Sequence, residues 1–211
     1  MSDNFELPYN KVKLRSYWNN YYSTNNKVLP HSDFSSFVSE NLNTNSTLID
    51  IGCGDGRDSI YFSDKKIITT GVDISEKVIN KNKEYENEYL NFEVLDLENI
   101  NSITKKFDFA YCRFLFHAIS EDIENQLLEW FGENINSRIF IETRIKDTKQ
   151  IVITENHYRR YFEEQYFVNK VQKAGFKVLF NQTSRSFSQY KKIYNVKDVN
   201  HDPLLLRMII A

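Results

Sequence analysis

The chain has 211 residues, 41% of them hydrophobic and 15% aromatic, which is typical of one domain with a sizeable core. Its formal net charge of −2 lacks the basic excess of a nucleic-acid-binding domain, and two cysteines are too few for a disulfide framework or a zinc knuckle. Because we find neither a cationic leader nor an apolar run of roughly 20 residues, we expect a cytoplasmic protein without membrane, metal or nucleic-acid contacts.

Two helical stretches come first in the chain, YNKVKLRSYWNNYY and SDFSSFVSENL, and the second opens at Ser32. Seven short segments rich in β-branched or aromatic residues predict strands: STLIDIG, KIITTGVD, NFEVLD, FDFAYC, SRIFIETR, FKVLFNQ and LLLRMII. Four segments between them predict helices: RDSIYFSDK, SEKVINKNKEY, SEDIENQLLEWF and RRYFEEQYFVNKVQKAG. We expect Ser75 and Ser120 to be N-caps and Gly175 to follow the last helix.

Strands that alternate with helices predict an α/β fold, a doubly wound and mostly parallel Rossmann-like sheet with helices on both faces. No linker or internal repeat divides the chain, so we interpret residues 1–211 as a single domain. Residues 147–159 fit neither period well. Irregular inserts after a strand are where α/β folds place substrate contacts, so this one is a candidate for the substrate side.

The stretch TLIDIGCGDGRDS holds three of the chain's six glycines, Gly52, Gly54 and Gly56. After a buried strand, Gly52 permits a sharp turn, Gly54 permits close approach of a ligand, and Gly56 permits tight packing of the next helix. The helix N-terminus then offers free N–H groups to an anion. This pattern predicts a cofactor loop, and an ordinary tight turn is the alternative.

Two acidic residues end the next two predicted strands. Asp73 can accept both hydroxyls of a ribose, and Asp96 can accept the exocyclic amino group of an adenine. Parallel strands bring their carboxyl ends to one edge of the sheet, so we expect both carboxylates to face the same cofactor as the glycine loop.

These motifs resemble those of class I S-adenosyl-L-methionine (SAM)-dependent methyltransferases over nearly the whole chain: LIDIGCGDG, the Asp73 strand end, VLDL and FDFAYCRFLFHAI, in that order. The resemblance implies an antiparallel seventh strand, LLLRMIIA, an N-terminal helical cap or lid (1–45), a SAM-binding half (46–145) and a substrate-side half (146–211). It implies that SAM is held by Trp18, Tyr22, Asp50, Gly52, Cys53, Gly54, Arg57, Asp58, Asp73, Ile74, Asp96, Leu97, Cys112 and Arg113.

The third glycine comes one residue early for the dinucleotide pattern G-x-G-x-x-G. SAM has no pyrophosphate, and the anion it offers this loop is the methionine carboxylate. Arg57 either pairs with that carboxylate or is a solvated residue of the first helical turn. Trp18 and Tyr22 either cover the methionine end as a lid or belong to an aromatic stripe that packs on the sheet.

The acceptor side begins where the predicted fourth strand ends. No N-P-P-Y or D-P-P-Y follows this strand, which disfavours methylation of a nucleobase amino group. Arg113 and His117 lie in this stretch as candidate catalytic residues, with His157 as a second candidate base. The alternative for His117 is a structural histidine that closes the loop.

Five residues are candidates for binding the acceptor. We expect an anion clamp, because guanidinium groups bind phosphate or carboxylate with paired donors. The alternative for the two adjacent arginines is a solvated first helical turn. The candidate residues are Glu142, Arg144, Tyr158, Arg159 and Arg160.

The segments YCRFLFHAI, ETRIKD and HYRRYF resemble bacterial small-molecule O-methyltransferases of surface-carbohydrate pathways. The expected function is therefore SAM-dependent O-methylation of a small anionic acceptor, a sugar, sugar phosphate or phosphate group in surface polysaccharide biosynthesis, by a monomer or homodimer. A hydroxyl acceptor needs a base, whereas a phosphate oxygen needs only orientation. The alternatives are a nucleotide-dependent oxidoreductase and a non-catalytic SAM-binding subunit.

Overall fold

The computed structural model describes residues 11–24, 29–147, 158–188 and 202–211. Its helices are α1 (Lys11–Thr24), α2 (Asp33–Ser39), α3 (Arg57–Asp64), α4 (Glu76–Asn82), α5 (Glu121–Asn134) and α6 (Glu164–Lys173). Its strands are β1 (Thr47–Ile51), β2 (Ile68–Asp73), β3 (Leu90–Val94), β4 (Phe107–Arg113), β5 (Ile135–Arg144), β6 (Val178–Ser184) and β7 (Leu205–Ile210). None of the helices in these ranges has both the length and the apolar character to cross a lipid bilayer.

One seven-stranded sheet runs in the order β3-β2-β1-β4-β5-β7-β6. The first five strands of this order pair in parallel, and β7 pairs antiparallel with both of its neighbours. The predicted fold class and the antiparallel last strand are therefore confirmed. The strand order reverses between β1 and β4, and doubly wound sheets bind ligands at the carboxyl ends of the strands beside such a reversal.

Side chains alternate across the sheet, so the central strands are buried on both faces. In β4, Phe109 and Tyr111 pack with Phe34 of α2 and Phe62 of α3. Ala110 and Cys112, which alternate with them along β4, pack in the hydrophobic cluster on the other face of the sheet, with residues of α5 and α6. Cys112 is fully buried there and does not line the cavity described below, so its contact with the cofactor stays a prediction.

Local capping signals predicted the start of three helices and the end of one. Ser32, Ser75 and Ser120 each accept a hydrogen bond from a backbone N–H in the first turn of the following helix, and Gly175 follows α6 with a φ of +96°. The last helix begins at Glu164, however, and not at Arg159 as predicted. Residues 158–163 are instead tied to other parts of the chain, because backbone N–H groups join Arg160 to the carbonyl of His117 and Lys146 to that of Phe162.

Gly56 precedes α3 with a φ of +73°, and a Cβ there would lie 2.8 Å from the Phe92 ring and 2.9 Å from the Asn82 amide nitrogen. We expect Gly56→Ala to lower the free energy of unfolding by about 1–3 kcal/mol in urea titrations, through overpacking and backbone strain. The matched control is Gly132→Ala inside α5, where a Cβ meets nothing within 4 Å. This change should raise the free energy of unfolding by roughly 0.5–1 kcal/mol, and equal effects at the two positions would contradict the packing account.

Candidate active site

A cavity of about 910 Å³ lies at the carboxyl ends of the strands on either side of the order reversal. Its walls come from α1, the β1–α3 loop, the ends of β2 and β3, and the turn after β4. Most of the predicted cofactor residues line it: Trp18, Tyr22, Asp50, Gly52, Cys53, Gly54, Arg57, Asp58, Asp73, Ile74, Asp96, Leu97 and Arg113. The topology therefore brings together residues that are up to 95 positions apart in the chain.

The β1–α3 loop is fastened to β2 by backbone hydrogen bonds. Gly52, with a φ of +76°, and Cys53 both donate to the carbonyl oxygen of Val72, at 2.8 and 3.0 Å. An ideal Cβ on Gly54 would lie 2.4 Å from the Tyr22 hydroxyl oxygen, so this glycine makes room for a side chain of α1. Gly54 was expected to admit a ligand to the backbone, and in this structure Tyr22 is the group that approaches it.

Asp73 links this loop to the start of α4. Its Oδ2 accepts from the Gly54 N–H at 3.1 Å, and its Oδ1 accepts from the Ser75 N–H at 2.8 Å. Burial raises the pKa of Asp73 to about 6, even though these backbone donors oppose the shift. Each carboxylate oxygen has a second lone pair, so Asp73 can accept two further hydrogen bonds from a diol at the cavity wall.

Helix α1 lies against α4 and the end of β3. Asn19 accepts a hydrogen bond from the Ser75 hydroxyl at 2.7 Å, and Arg15 forms an ion pair with Asp96 at 3.2 Å. The rings of Trp18 and Tyr22 stack with their centres 6.0 Å apart, and both line the cavity. The aromatic stripe therefore packs together and also forms a cavity wall.

Two buried aspartates below the loop have different partners. Asp50 accepts a hydrogen bond from the Ser59 hydroxyl at 2.6 Å, and burial outweighs this bond and raises the pKa of Asp50 to about 8. Asp58 accepts from the Ser32 N–H at 2.7 Å, from the Ser32 hydroxyl at 2.8 Å and from the Tyr111 hydroxyl at 2.7 Å. Both Asp58 oxygens are thus engaged in fixing α2 and β4, and its contact with the cofactor stays a prediction.

Opposing effects set the ionisation of Asp58. Burial alone would raise its pKa, but the Arg113 and Arg57 guanidiniums and the hydrogen bonds from Ser32 and Tyr111 hold the pKa below its ordinary value. Arg57 also donates to the carbonyl oxygen of Pro30 at 3.1 Å. Its pairing with a cofactor carboxylate stays a prediction.

The predicted acceptor end of the cavity lies beyond β4 and holds Arg113, His117, Arg144 and Arg159. Arg113 donates from Nε to one oxygen of Glu142 at 2.9 Å, and Arg207 donates from Nε to the other at 2.7 Å. Glu142 is 1% exposed, and an arginine occupies each of its oxygens. This carboxylate therefore positions Arg113 from behind the cavity wall, and its predicted contact with the acceptor stays a prediction.

The predicted arginine clamp is divided between two environments. Arg159 lines the cavity with its guanidinium 5.9 Å from the centre of the Trp18 ring. Arg160 instead forms an ion pair with Glu124, a fully buried residue of α5 that Lys170 also pairs with at 2.8 Å. Arg160 and the buried Tyr158 do not line the cavity, and their acceptor contacts stay predictions. The prediction for His157 lies outside the described residues.

His117 is 1% exposed and lines the cavity from the turn after β4. Its Nδ1 lies 3.2 Å from the hydroxyl oxygen of Thr143, which is itself 3.4 Å from the carbonyl oxygen of Arg144. In the tautomer with its proton on Nδ1, this nitrogen donates to the Thr143 hydroxyl and Nε2 is the basic nitrogen of the imidazole. Thr143 and Arg207 support the site but gave no sequence signal, because a polar residue inside a strand does not reveal which side chain it will contact.

A doubly wound sheet with an antiparallel seventh strand, a glycine loop after β1 and acids after β2 and β3 defines the class I SAM-dependent methyltransferase fold. A family model described as a methyltransferase domain matches residues 28–180, so the chain belongs to this family. The match confirms the methyltransferase class and counts against the oxidoreductase alternative. The Putative methyltransferase 235L of Invertebrate iridescent virus 6 is 29% identical over 158 residues, 66% of this chain and 55% of its own length. The chain thus spans about half the length of this curated relative.

Solved structures share the fold at low sequence identity. The 1,6-didemethyltoxoflavin-N1-methyltransferase of Burkholderia thailandensis, with S-adenosylhomocysteine bound, has a TM-score of 0.73 at 17% identity and covers 100% of this chain and 96% of its own. A SAM-dependent methyltransferase of Anabaena variabilis has a TM-score of 0.72 at 16% identity, covering 100% and 98%. The [4+2]-cyclase SpnF has a TM-score of 0.71 at 14% identity, covering 94% and 92%, so the fold alone does not settle the reaction.

The raised pKa of Asp50 predicts how the free energy of unfolding changes with pH. Because its folded-state pKa is about 8 and its unfolded value is near 4, the folded chain binds the extra proton between these values. Stability from Asp50 is therefore fully present below about pH 4 and is lost as the pH rises towards 8. The free energy of unfolding of the wild type minus that of Asp50→Asn should fall by up to roughly 1.4 kcal/mol per pH unit over this window. Denaturant titrations at several pH values would contradict this if the difference rose with pH.

Proposed function

We propose that the chain binds SAM in this cavity and transfers a methyl group to an oxygen of a small anionic acceptor. The cavity, at about 910 Å³, lies near the upper end of the roughly 300–1,000 Å³ of small-molecule pockets, which suits a nucleoside cofactor together with an acceptor. Asp73 would hold the ribose hydroxyls, Asp96 the adenine amino group and the glycine loop the methionine end. When bound, SAM supplies a methyl group that its sulfonium charge activates.

The position and hydrogen bonding of Arg113 are the observation that supports an anionic acceptor. Its Nε is held by Glu142, and the guanidinium carbon lies 4.1 Å from the centre of the Phe114 ring. Within the described part of the chain, neither terminal nitrogen of Arg113 has a hydrogen-bond acceptor, and the side chain is only 15% exposed. A guanidinium that is fixed, nearly buried and left with terminal donors at a cavity wall is suited to bind a phosphate or carboxylate.

His117 supports the same site in a different way. A hydroxyl acceptor must lose its proton as the methyl group transfers, and the basic Nε2 of His117 can take it. A phosphate oxygen is already an anion and needs only to be oriented by Arg113 and the neighbouring Arg144 and Arg159. The resemblance to methyltransferases of surface-carbohydrate pathways makes sugar phosphates the first acceptors to test.

The cofactor half of the proposal is tested by calorimetry with S-adenosylhomocysteine. We expect Asp73→Asn to weaken binding roughly 100-fold or more, because two hydrogen bonds to a charged group are lost. Asp108→Asn is the matched control. The Asp108 carboxylate also accepts two hydrogen bonds, from the Thr47 N–H and hydroxyl at 2.8 and 2.9 Å, but it lies at the amino ends of the strands. Equal affinities for Asp73→Asn and wild type would show that the cofactor lies elsewhere.

The acceptor half is tested by release of S-adenosylhomocysteine with panels of sugar phosphates, carboxylates and neutral sugars. We expect turnover with anionic members, and Arg113→Lys should raise their KM about tenfold or more with little change in kcat, since paired donors to the anion are lost. Arg138→Lys is the control, because Arg138 donates to Asn41 near the start of β5. Equal turnover of neutral and anionic acceptors by wild type and Arg113→Lys would overturn the anionic assignment. No turnover with any acceptor, despite binding of S-adenosylhomocysteine, would favour the non-catalytic subunit.

The same assay separates the two oxygen chemistries. His117→Ala should lower kcat, without a matching rise in KM, when the acceptor oxygen is a hydroxyl that needs a base. A kcat near that of the wild type would identify the acceptor as an oxygen that is already ionised, such as that of a phosphate.

A further inference from the structure

Phe114 has an unusual backbone for its residue type and position. Its φ of +58° is in the left-handed region, which few residues other than glycine, asparagine and aspartate adopt. Asn45 and Lys66 also have positive φ, but both are exposed and lie in turns, where this conformation is common. Phe114 is bulky, half-buried and comes directly after β4 at the cavity wall. A bulky residue in this region is strained, and such strain persists where the surrounding structure imposes it.

The surroundings of Phe114 fix both its backbone and its ring. Its N–H donates to the carbonyl oxygen of Glu142 at 2.7 Å, which attaches the turn to β5. The ring centre lies 4.1 Å from the guanidinium carbon of Arg113 and 5.7 Å from that of Arg144. The ring of His117 makes an edge contact with it at 5.9 Å between centres. Phe114 therefore contacts two of the cations at the acceptor end and the candidate base.

We propose that Phe114 is the specificity-determining residue of the acceptor site. Its strained turn holds an apolar ring beside the Arg113 and Arg144 guanidiniums, so the site selects an anionic acceptor whose ring lies on Phe114. This inference rests on the proposed function and narrows its substrate class to anions attached to a ring. An acyclic anion would use the arginines but would make no ring contact with Phe114.

The test uses the full chain saturated with S-adenosylhomocysteine and two probes with the same charged group, phenyl phosphate and methyl phosphate. By calorimetry, the wild type should bind phenyl phosphate roughly tenfold more tightly, from aromatic contact and burial of the ring. Phe114→Gly and Phe114→Leu should lose this preference while still binding methyl phosphate, and Phe114→Tyr, which keeps the ring, should retain it. A preference that is the same in wild type and Phe114→Gly would overturn the proposal.

A stability measurement tests the strained turn separately. Phe114→Gly and Phe114→Ala both remove the ring, but only glycine relieves a positive φ. The thermal midpoint of Phe114→Gly should therefore exceed that of Phe114→Ala by roughly 2–4 °C. Lys66→Gly and Lys66→Ala form the matched control pair, because Lys66 also has a positive φ but lies in an exposed turn. The glycine variant should again have the higher thermal midpoint, and neither Lys66 variant should change phosphate binding. Equal midpoints for the two Phe114 variants would show that the turn is not strained and would overturn that part of the proposal.

These measurements distinguish the failure of this inference from that of the proposed function. If the wild type binds no S-adenosylhomocysteine, or binds neither phosphate, both the proposed function and this inference are contradicted. Binding of the cofactor product and both phosphates, with no dependence on Phe114, would overturn the specificity role alone.

Discussion

The acceptor end of the site depends on one buried carboxylate held by two guanidiniums. Glu142 of β5 is paired in register with Arg113 of β4 on one side and with Arg207 of β7 on the other. A buried carboxylate is costly unless it is paired and hydrogen-bonded, and here each oxygen accepts from an arginine Nε. Because β7 is inserted antiparallel between β5 and β6, it places Arg207 opposite Glu142. The row of Arg113, Glu142 and Arg207 therefore fixes the Arg113 guanidinium at the cavity wall.

Charge is distributed unevenly along the cavity. Asp73 ends β2 and Asp96 follows β3, whereas Arg113 and Arg144 lie at the ends of β4 and β5. SAM carries a cationic sulfonium, and a phosphate-bearing acceptor is an anion. The order reversal between β1 and β4 therefore separates an acidic half that suits the cofactor from a basic half that suits the acceptor, within a chain whose net charge is only −2.

The parts that the sequence could predict are those encoded by neighbouring residues. All seven strands, the serine N-caps and the glycine loop follow from local patterns, and the structure confirms them. The sequence is less informative where a side chain's direction depends on distant partners. Because α6 begins at Glu164, Arg159 and Arg160 lie in non-helical chain, where neighbouring side chains can point to opposite sides, and only Arg159 reaches the cavity. Nothing near Glu142 in the sequence shows that Arg207, 65 residues later, lies opposite it.

Helix α1 connects the cofactor end to the rest of the chain through several contacts. The Arg15 side chain is 49% exposed, whereas that of its ion-pair partner Asp96 is 5% exposed. A ligand amino group that binds Asp96 would replace the Arg15 donor, and the half-exposed Arg15 guanidinium would then be solvated by water. The Asn19–Ser75 hydrogen bond and the Tyr22 hydroxyl at Gly54 do not involve Asp96, so they can keep α1 in place during this exchange. Occupation of Asp96 would then loosen one contact of α1 without releasing the helix, and α1 can act as a wall of the cofactor site rather than as a gate to it.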